Sequence, residues 1–295
     1  MNADGRRYFL GLLAAIVMSC GAVTASAKTP VPGGKWSWVW TDRAGMNQPM
    51  RVYTYRPRDC DSTCPMLIAL HGALRKASDM RDYWELIADR YKFLVVTPEF
   101  SEDKYPGEAY ALGGVGTEQN KERWVFATIE HLFDEMSDGQ KGYTLFGYSA
   151  GAQVAHRLAL LRPGNRATTV VVANAGSYTS PEFRADKGAG SFPASLVGSG
   201  VTEADVRKAL SSRLIVMLGE SDNDPEAVDM GKGDSAAKQG ASRLERGENF
   251  FKAATTVAGQ LGVKFAWELD EVSGPASATA PALCKQAAET LFKKK

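Results

Sequence analysis

The chain has 295 residues, 44% hydrophobic and 23% charged, which excludes a disordered or collagen-like protein and is long enough to bury a large core, as one big α/β domain or two smaller ones. With 35 Lys and Arg against 34 Asp and Glu, the net charge of +1 offers no basic field for nucleic acid and no acidic tail. Only 3 histidines are present, which leaves little room for a histidine-rich metal site and makes the position of each one matter to any hydrolytic mechanism.

Residues Met1 to Ala27 read as an export signal. Arg6 and Arg7 form a positive n-region, Phe9 to Met18 an apolar run, and Ala25-Ser26-Ala27 a small-residue cleavage site before Lys28. The run is short of the ~20 residues that span a bilayer, so no stable membrane insertion is expected after cleavage. Arg6-Arg7-Tyr8-Phe9-Leu10 resembles a twin-arginine signal, although Gly5 stands where Ser or Thr is usual, and Sec export stays open. Val17-Met18-Ser19-Cys20 fits a lipoprotein site poorly at Met18. The expected location is periplasmic or secreted. Removing the signal leaves 33 acidic and 33 basic residues, a mature chain (28–295) of zero net charge.

One domain is the economical reading of the mature chain. Strands are expected at Trp36–Thr41, Met50–Tyr55, Met66–Leu70, Phe93–Thr97, Tyr143–Gly147, Thr169–Asn174, Leu214–Leu218 and Lys264–Glu271. The first two alternate and flank a polar Asp-Arg-Ala-Gly turn, as an antiparallel hairpin does. The later ones are near-continuous apolar runs, suited to strands buried on both faces. Helices are expected at Ser78–Tyr91, Lys121–Met136, Ala150–Leu161, Ser242–Gln260 and Pro281–Lys294. The Gly- and Ser-rich stretch Lys187–Gly200 reads as a loop or cap. The alternation predicts a mostly parallel central sheet of about eight strands with helices on both faces. Cys60 and Cys64, in a tight polar turn, suit a small disulfide loop in an oxidising compartment, with free thiols or a metal as alternatives. Cys284 lies in an apolar helical run and is expected to be a buried thiol. Trp84, Trp124 and Phe100 read as core or pocket lining.

The chemistry concentrates in Gly147-Tyr148-Ser149-Ala150-Gly151. This G-x-S-x-G run sits between a buried strand and a helix, the context of a nucleophile elbow, in which small flanking residues allow a sharp turn that presents the Ser149 hydroxyl. His71-Gly72-Ala73-Leu74 closes the third strand. The oxyanion donors expected from this arrangement are the backbone N–H groups of Ala73 and Ala150, with His71 shaping the loop. Asp222, in Leu218-Gly-Glu-Ser-Asp222-Asn-Asp224 after the next-to-last strand, occupies the acid position, and Asp224 reads as a loop cap. No Walker loop, dinucleotide fingerprint or H-E-x-x-H run occurs, so no cofactor and no metal is expected.

These residues give the chain its resemblance to the α/β-hydrolase superfamily, and within it to secreted bacterial hydrolases similar to polyhydroxybutyrate depolymerases and feruloyl esterases. His71-Gly72, Thr97-Pro98-Glu99-Phe100, Gly147 to Arg157, Gln239-Gly240, Arg243 to Gly247 and Asn249-Phe250-Phe251 all match that group. The resemblance implies the α/β-hydrolase fold, a serine nucleophile, and a small-molecule or polymeric ester as partner. It also exposes a departure. Such hydrolases carry their base in a loop resembling V-P-G-V-G-H after the last strand, and here that segment is Val272-Ser273-Gly274-Pro275-Ala276-Ser277. Ser277 stands at the histidine position and no histidine follows His156. His131 and His156 read as helix-packing residues. Three readings follow: an esterase scaffold with impaired activity, a binding protein that keeps the pocket without turnover, or an active enzyme that uses His71 or His156 through a rearranged geometry.

Overall fold

The computed structural model describes residues 30–185, 190–227, 230 and 234–292. The expected export segment, with Cys20, lies outside the described residues, as does part of the Lys187–Gly200 stretch. No helix among the described residues is long and apolar enough to cross a membrane.

Eight strands form one sheet: β1 (Gly34–Thr41), β2 (Pro49–Arg56), β3 (Met66–Leu70), β4 (Leu94–Pro98), β5 (Tyr143–Tyr148), β6 (Ala167–Ala173), β7 (Leu214–Gly219) and β8 (Trp267–Val272). Their order is β1-β2-β4-β3-β5-β6-β7-β8. β2 runs antiparallel to both its neighbours and every other pair is parallel. The helices are α1 (Ala77–Tyr91), α2 (Glu108–Ala111), α3 (Val125–Met136), α4 (Ala150–Leu161), α5 (Glu203–Ser211), α6 (Asp234–Ala237), α7 (Arg243–Leu261) and α8 (Ala280–Phe292).

The apolar strands sort their side chains by alternation. In β3, Met66, Ile68 and Leu70 enter one core with residues of α3, α4, α5 and α7. Leu67 and Ala69 enter the other, with Met80, Trp84 and Ala88 of α1 and Leu283, Cys284, Ala287 and Ala288 of α8. Both faces of the sheet are therefore covered, which is why the strands read as unbroken apolar runs. Trp84, Phe100 and Cys284 are fully buried core residues. β8 is an edge strand with an exposed Glu268 and Leu269, and it begins three residues later than its sequence suggests.

Beyond the short helices α2 and α6, which the sequence reading does not include, two elements depart from it. The helix expected over Lys121–Met136 is interrupted: Lys121–Arg123 is a 3-10 turn, Trp124 is extended, and α3 starts at Val125. α5 was not expected, because it buries only Val206, Ala209 and Leu210; a capping box between Thr202 and Asp205 starts it. Cys60 and Cys64 are joined as a disulfide.

Sheet order reverses at β3, with β4 on one side and β5 on the other. Such a switch point opens a crevice at the carboxyl ends of the strands, where loops diverge. The β3–α1 loop and the β5–α4 turn meet there.

Candidate active site

Ser149 sits between β5 and α4 with φ 52° and ψ −113°, a strained conformation for a residue with a side chain. Its N–H is fixed to Ala173 O of β6 at 2.9 Å. The flanking glycines have a steric reason. A Cβ on Gly147 would lie 2.2 Å from Gly151 O, and one on Gly151 would lie 2.4 Å from Leu70 O and 2.7 Å from His71 O. Only glycine lets β5, α4 and the end of β3 approach this closely.

Ser149 lines a cavity of about 300 Å³ with His71, Gly72, Ala73, Leu74, Tyr148, Asn174, Asp222 and Arg243. Its hydroxyl makes no hydrogen bond to another described residue. Ala150 opens α4, so its N–H is one of the donors that a helix leaves unsatisfied. The Ala73 N–H likewise donates to no described group. Of the two expected oxyanion donors, Ala73 lines the cavity from the β3–α1 loop, and Ala150 follows Ser149 at the N-terminus of α4, whose partial positive charge favours an anion.

The loop bearing Ala73 is held by residues that the sequence did not single out. Arg75, itself at φ 59°, donates to Phe100 O (2.8 Å) and Tyr105 O (2.9 Å), pairs with Glu102 (2.7 Å) and lies over the Tyr110 ring. Tyr110 donates its hydroxyl to His71 O at 2.9 Å.

Asp222 is buried at the end of the β7 loop. Its Oδ1 accepts from Arg243 Nη1 of α7 at 3.0 Å. Asn174, at φ 48°, accepts from Gly219 N at 2.8 Å. Burial raises the Asp222 pKa, and Arg243 and Asn174 only partly offset it. Asp224 caps its own turn, accepting from Glu226 N at 2.9 Å.

Ser277 is 2% exposed, and its hydroxyl is committed to the neighbouring loop: it accepts from Ser221 N at 2.9 Å and donates to Ser221 Oγ at 3.0 Å. It bonds to neither Ser149 nor Asp222, although Ser221 is the residue next to Asp222. Tyr148 donates its hydroxyl to Ala278 O at 3.1 Å, tying the elbow to this same loop.

The three histidines are each engaged elsewhere. His71 Nε2 accepts from Phe100 N at 3.1 Å, which puts the proton on Nδ1, facing Gly72 O at 2.9 Å. Burial lowers its pKa to about 4. His156 is fully buried, accepting from Thr179 N at 2.9 Å and donating to Ala152 O at 2.9 Å, and burial holds its pKa well below the usual range. His131 pairs with Asp42 (2.9 Å) and Glu122 (3.4 Å) in a separate groove. Asp42, part of the expected polar turn, is in fact buried there. Among the described residues no group of three or more His, Cys, Asp or Glu could hold a metal ion.

No protein-family model matches the chain, and no curated protein matches it in sequence. Solved structures do. Poly(aspartic acid) hydrolase-1 from Sphingomonas sp. KT-1 superposes with a TM-score of 0.82 at 31% identity, over 89% of this chain and 100% of that one. LpqC, a poly(3-hydroxybutyrate) depolymerase from Bordetella parapertussis, superposes with a TM-score of 0.81 at 30% identity, over 90% of this chain and 91% of its own. FphF, a fluorophosphonate-binding serine hydrolase of Staphylococcus aureus, shares the fold at 15% identity, with a TM-score of 0.56 over 90% of this chain and 100% of that one. With the sheet order, the elbow and these relatives together, the chain belongs to the α/β-hydrolase superfamily, among its depolymerase-like members.

Proposed function

We propose that this protein is an exported ester-hydrolase-type member of the superfamily in which Ser149 is the nucleophile, Asp222 the acid and Ala73 and Ala150 the oxyanion donors, while Ser277 replaces the base. It receives the carbonyl of a polymeric or small ester beside Ser149 and turns it over poorly. The observation that carries this reading is the fate of the histidines: His71 and His156 have both ring nitrogens engaged, and His131 belongs to the Asp42 cluster. A serine hydroxyl without a base is a weak nucleophile, and losing the histidine of a triad costs on the order of 10⁶ in rate. Export is supported by the Arg6-Arg7 signal pattern and by the joined cysteines.

A second reading, a binding protein without turnover, is favoured by Ser277, whose hydroxyl is committed to Ser221 and bonds to neither Ser149 nor Asp222. Labelling with a serine-directed fluorophosphonate, followed by intact-mass and peptide mapping, tests the proposed role of Ser149. The expected result is slow modification at Ser149 alone, abolished by Ser149→Ala. Modification elsewhere, unchanged by Ser149→Ala, contradicts it.

A further inference from the structure

We propose that Leu74, Tyr83 and Leu86 form an apolar track that leads out of the Ser149 cavity along α1 and holds the hydrocarbon arm of a neutral ester, so that the site takes esters with a long apolar chain in preference to short or anionic ones. This deepens the reading above, in which Ser149 is the nucleophile, and rests on it.

Leu74 follows Ala73 in the β3–α1 loop, and both Leu74 and Tyr83 line the Ser149 cavity. Leu86 lies three residues beyond Tyr83 on α1, a spacing that puts the two on one helix face. Leu74 and Leu86 are 78% and 80% exposed, more than any other large apolar side chain among the described residues. A single exposed leucine is ordinary, but apolar side chains that continue from a cavity into solvent mark a surface that binds something. The other exposed large apolar groups, Val39 and Leu269, sit apart on the edge strands β1 and β8. Within the cavity the apolar character continues, because Met80 of α1 lines it while packing its sulfur on Cys284 of α8 at 4.0 Å.

The charges around the cavity select the same class of ligand. Lys76 and Asp79 both border it from the α1 side, and Arg243 pairs with Asp222, so the formal charges of the lining cancel. His71 adds none near neutrality, because burial lowers its pKa to about 4. A polyanion therefore meets no net attraction here. A hydrocarbon arm, in contrast, gains from every methylene it removes from water. Full burial of one methylene is worth about fourfold in affinity, and contact on one side, as on an open track, about twofold.

The test labels the full mature chain with ethyl and octyl fluorophosphonates and compares the parent with Leu74→Ser, Leu86→Ser and, as a control, Val39→Ser. All three positions are exposed, and thermal melting checks that each variant is folded. In the parent, the octyl probe modifies Ser149 about tenfold faster than the ethyl probe, or more. Leu74→Ser and Leu86→Ser each cut that ratio by about threefold. Leu86→Ser leaves the ethyl rate unchanged, and Val39→Ser changes neither rate. A ratio near one, or one that Leu86→Ser leaves intact, overturns the track, and so does a probe with a terminal carboxylate that outpaces the octyl probe. Binding is read separately from the leucine methyl NMR signals of the parent during titration with octanamide and with acetamide. Octanamide shifts the signals of Leu74 and Leu86, whereas acetamide leaves Leu86 unmoved. Octanamide that fails to shift Leu86 overturns the proposal. Should neither phosphonate modify Ser149, the nucleophile reading fails, and the octanamide titration still decides whether the track exists.

Discussion

Ser277 and Ser221 share a 3.0 Å hydroxyl contact that bridges the loops following β8 and β7. Three bonds cross this junction, because Ser221 N donates to Ser277 Oγ and Ala278 N donates to Ser221 Oγ. Ser277 thus acts as a loop clasp. Ser277→Ala removes the acceptor of Ser221 N, but Ser221 is exposed and water replaces part of the bond. The expected loss is about 0.5–1.5 kcal/mol, read from the urea midpoint. A larger loss, or none, contradicts the clasp.

The elbow is a packing device as much as a chemical one. Gly151→Ala places a methyl group 2.4 Å from Leu70 O, a backbone atom that cannot swing aside. Overpacking of this kind costs about 1–3 kcal/mol, and the shift of α4 from β3 should also slow phosphonate labelling of Ser149. Chemical denaturation and labelling rates measured together check both; an unchanged variant in either assay shows that the contact is not tight.

The Asp42–His131 cluster predicts a pH window for stability. The hydrogen bond that His131 donates to Asp42 raises the His131 pKa, with the Asp42 and Glu122 charges adding to it against the opposing effect of burial. Burial pushes the Asp42 carboxyl up, but bonds from His131 (2.9 Å) and Thr128 (2.8 Å) outweigh it and lower the pKa overall. A raised histidine stabilises the fold fully below its unfolded value and loses that contribution as pH rises through its folded value. A lowered carboxylate stabilises above its unfolded value and loses that contribution as pH falls through its folded value. The groove also holds Glu122, paired with Arg162, and Lys121, Glu130, Asp134 and Arg166. The stability difference between the parent and His131→Gln should therefore be largest between the unfolded Asp and unfolded His values and shrink outward as pH passes through either folded value. Denaturant melts across pH 3 to 9, a range spanning roughly the ordinary Asp and His values, check this; a flat difference contradicts it.

Residual chemistry at Ser149 should show no histidine signature. His71 titrates near 4 because it is buried, and His156 is held well below its usual range for the same reason. Neither is expected to gain or lose a proton near neutrality. The pH profile of phosphonate labelling should lack a rising limb with an apparent pKa of about 6–7. A limb there that vanishes in His71→Gln or His156→Gln shows that one of these rings reaches the serine.

Much of this arrangement was legible from the sequence, for a physical reason. β3 and β7 are buried on both faces, so their apolar runs are unbroken, and the elbow must be written as small residues around Ser149. What was not legible depends on contacts between distant residues. Asp42 reads as a turn residue until His131, 89 positions on, is seen to bond it. Arg243 is legible only as part of a run that resembles the hydrolase group; its bond to Asp222, 21 positions back, exists only once α7 is packed in place. Trp124 carries no local breaker, yet the chain is extended there and its indole N–H donates to Glu118 O at 2.8 Å, in the loop before the 3-10 turn. Arg75 shows the same limit, since its partners Phe100 and Tyr105 lie in the β4–α2 loop.

The central claim, a serine site without a base, is tested most directly by steady-state hydrolysis of a short nitrophenyl ester by the mature parent chain against Ser149→Ala. The predicted parental kcat lies on the order of 10⁶ below that of an intact triad, leaving roughly 10³–10⁴ over water, with at most a modest further loss in Ser149→Ala. A parental kcat in the ordinary enzyme range of about 1–10³ s⁻¹ that collapses in Ser149→Ala would contradict it.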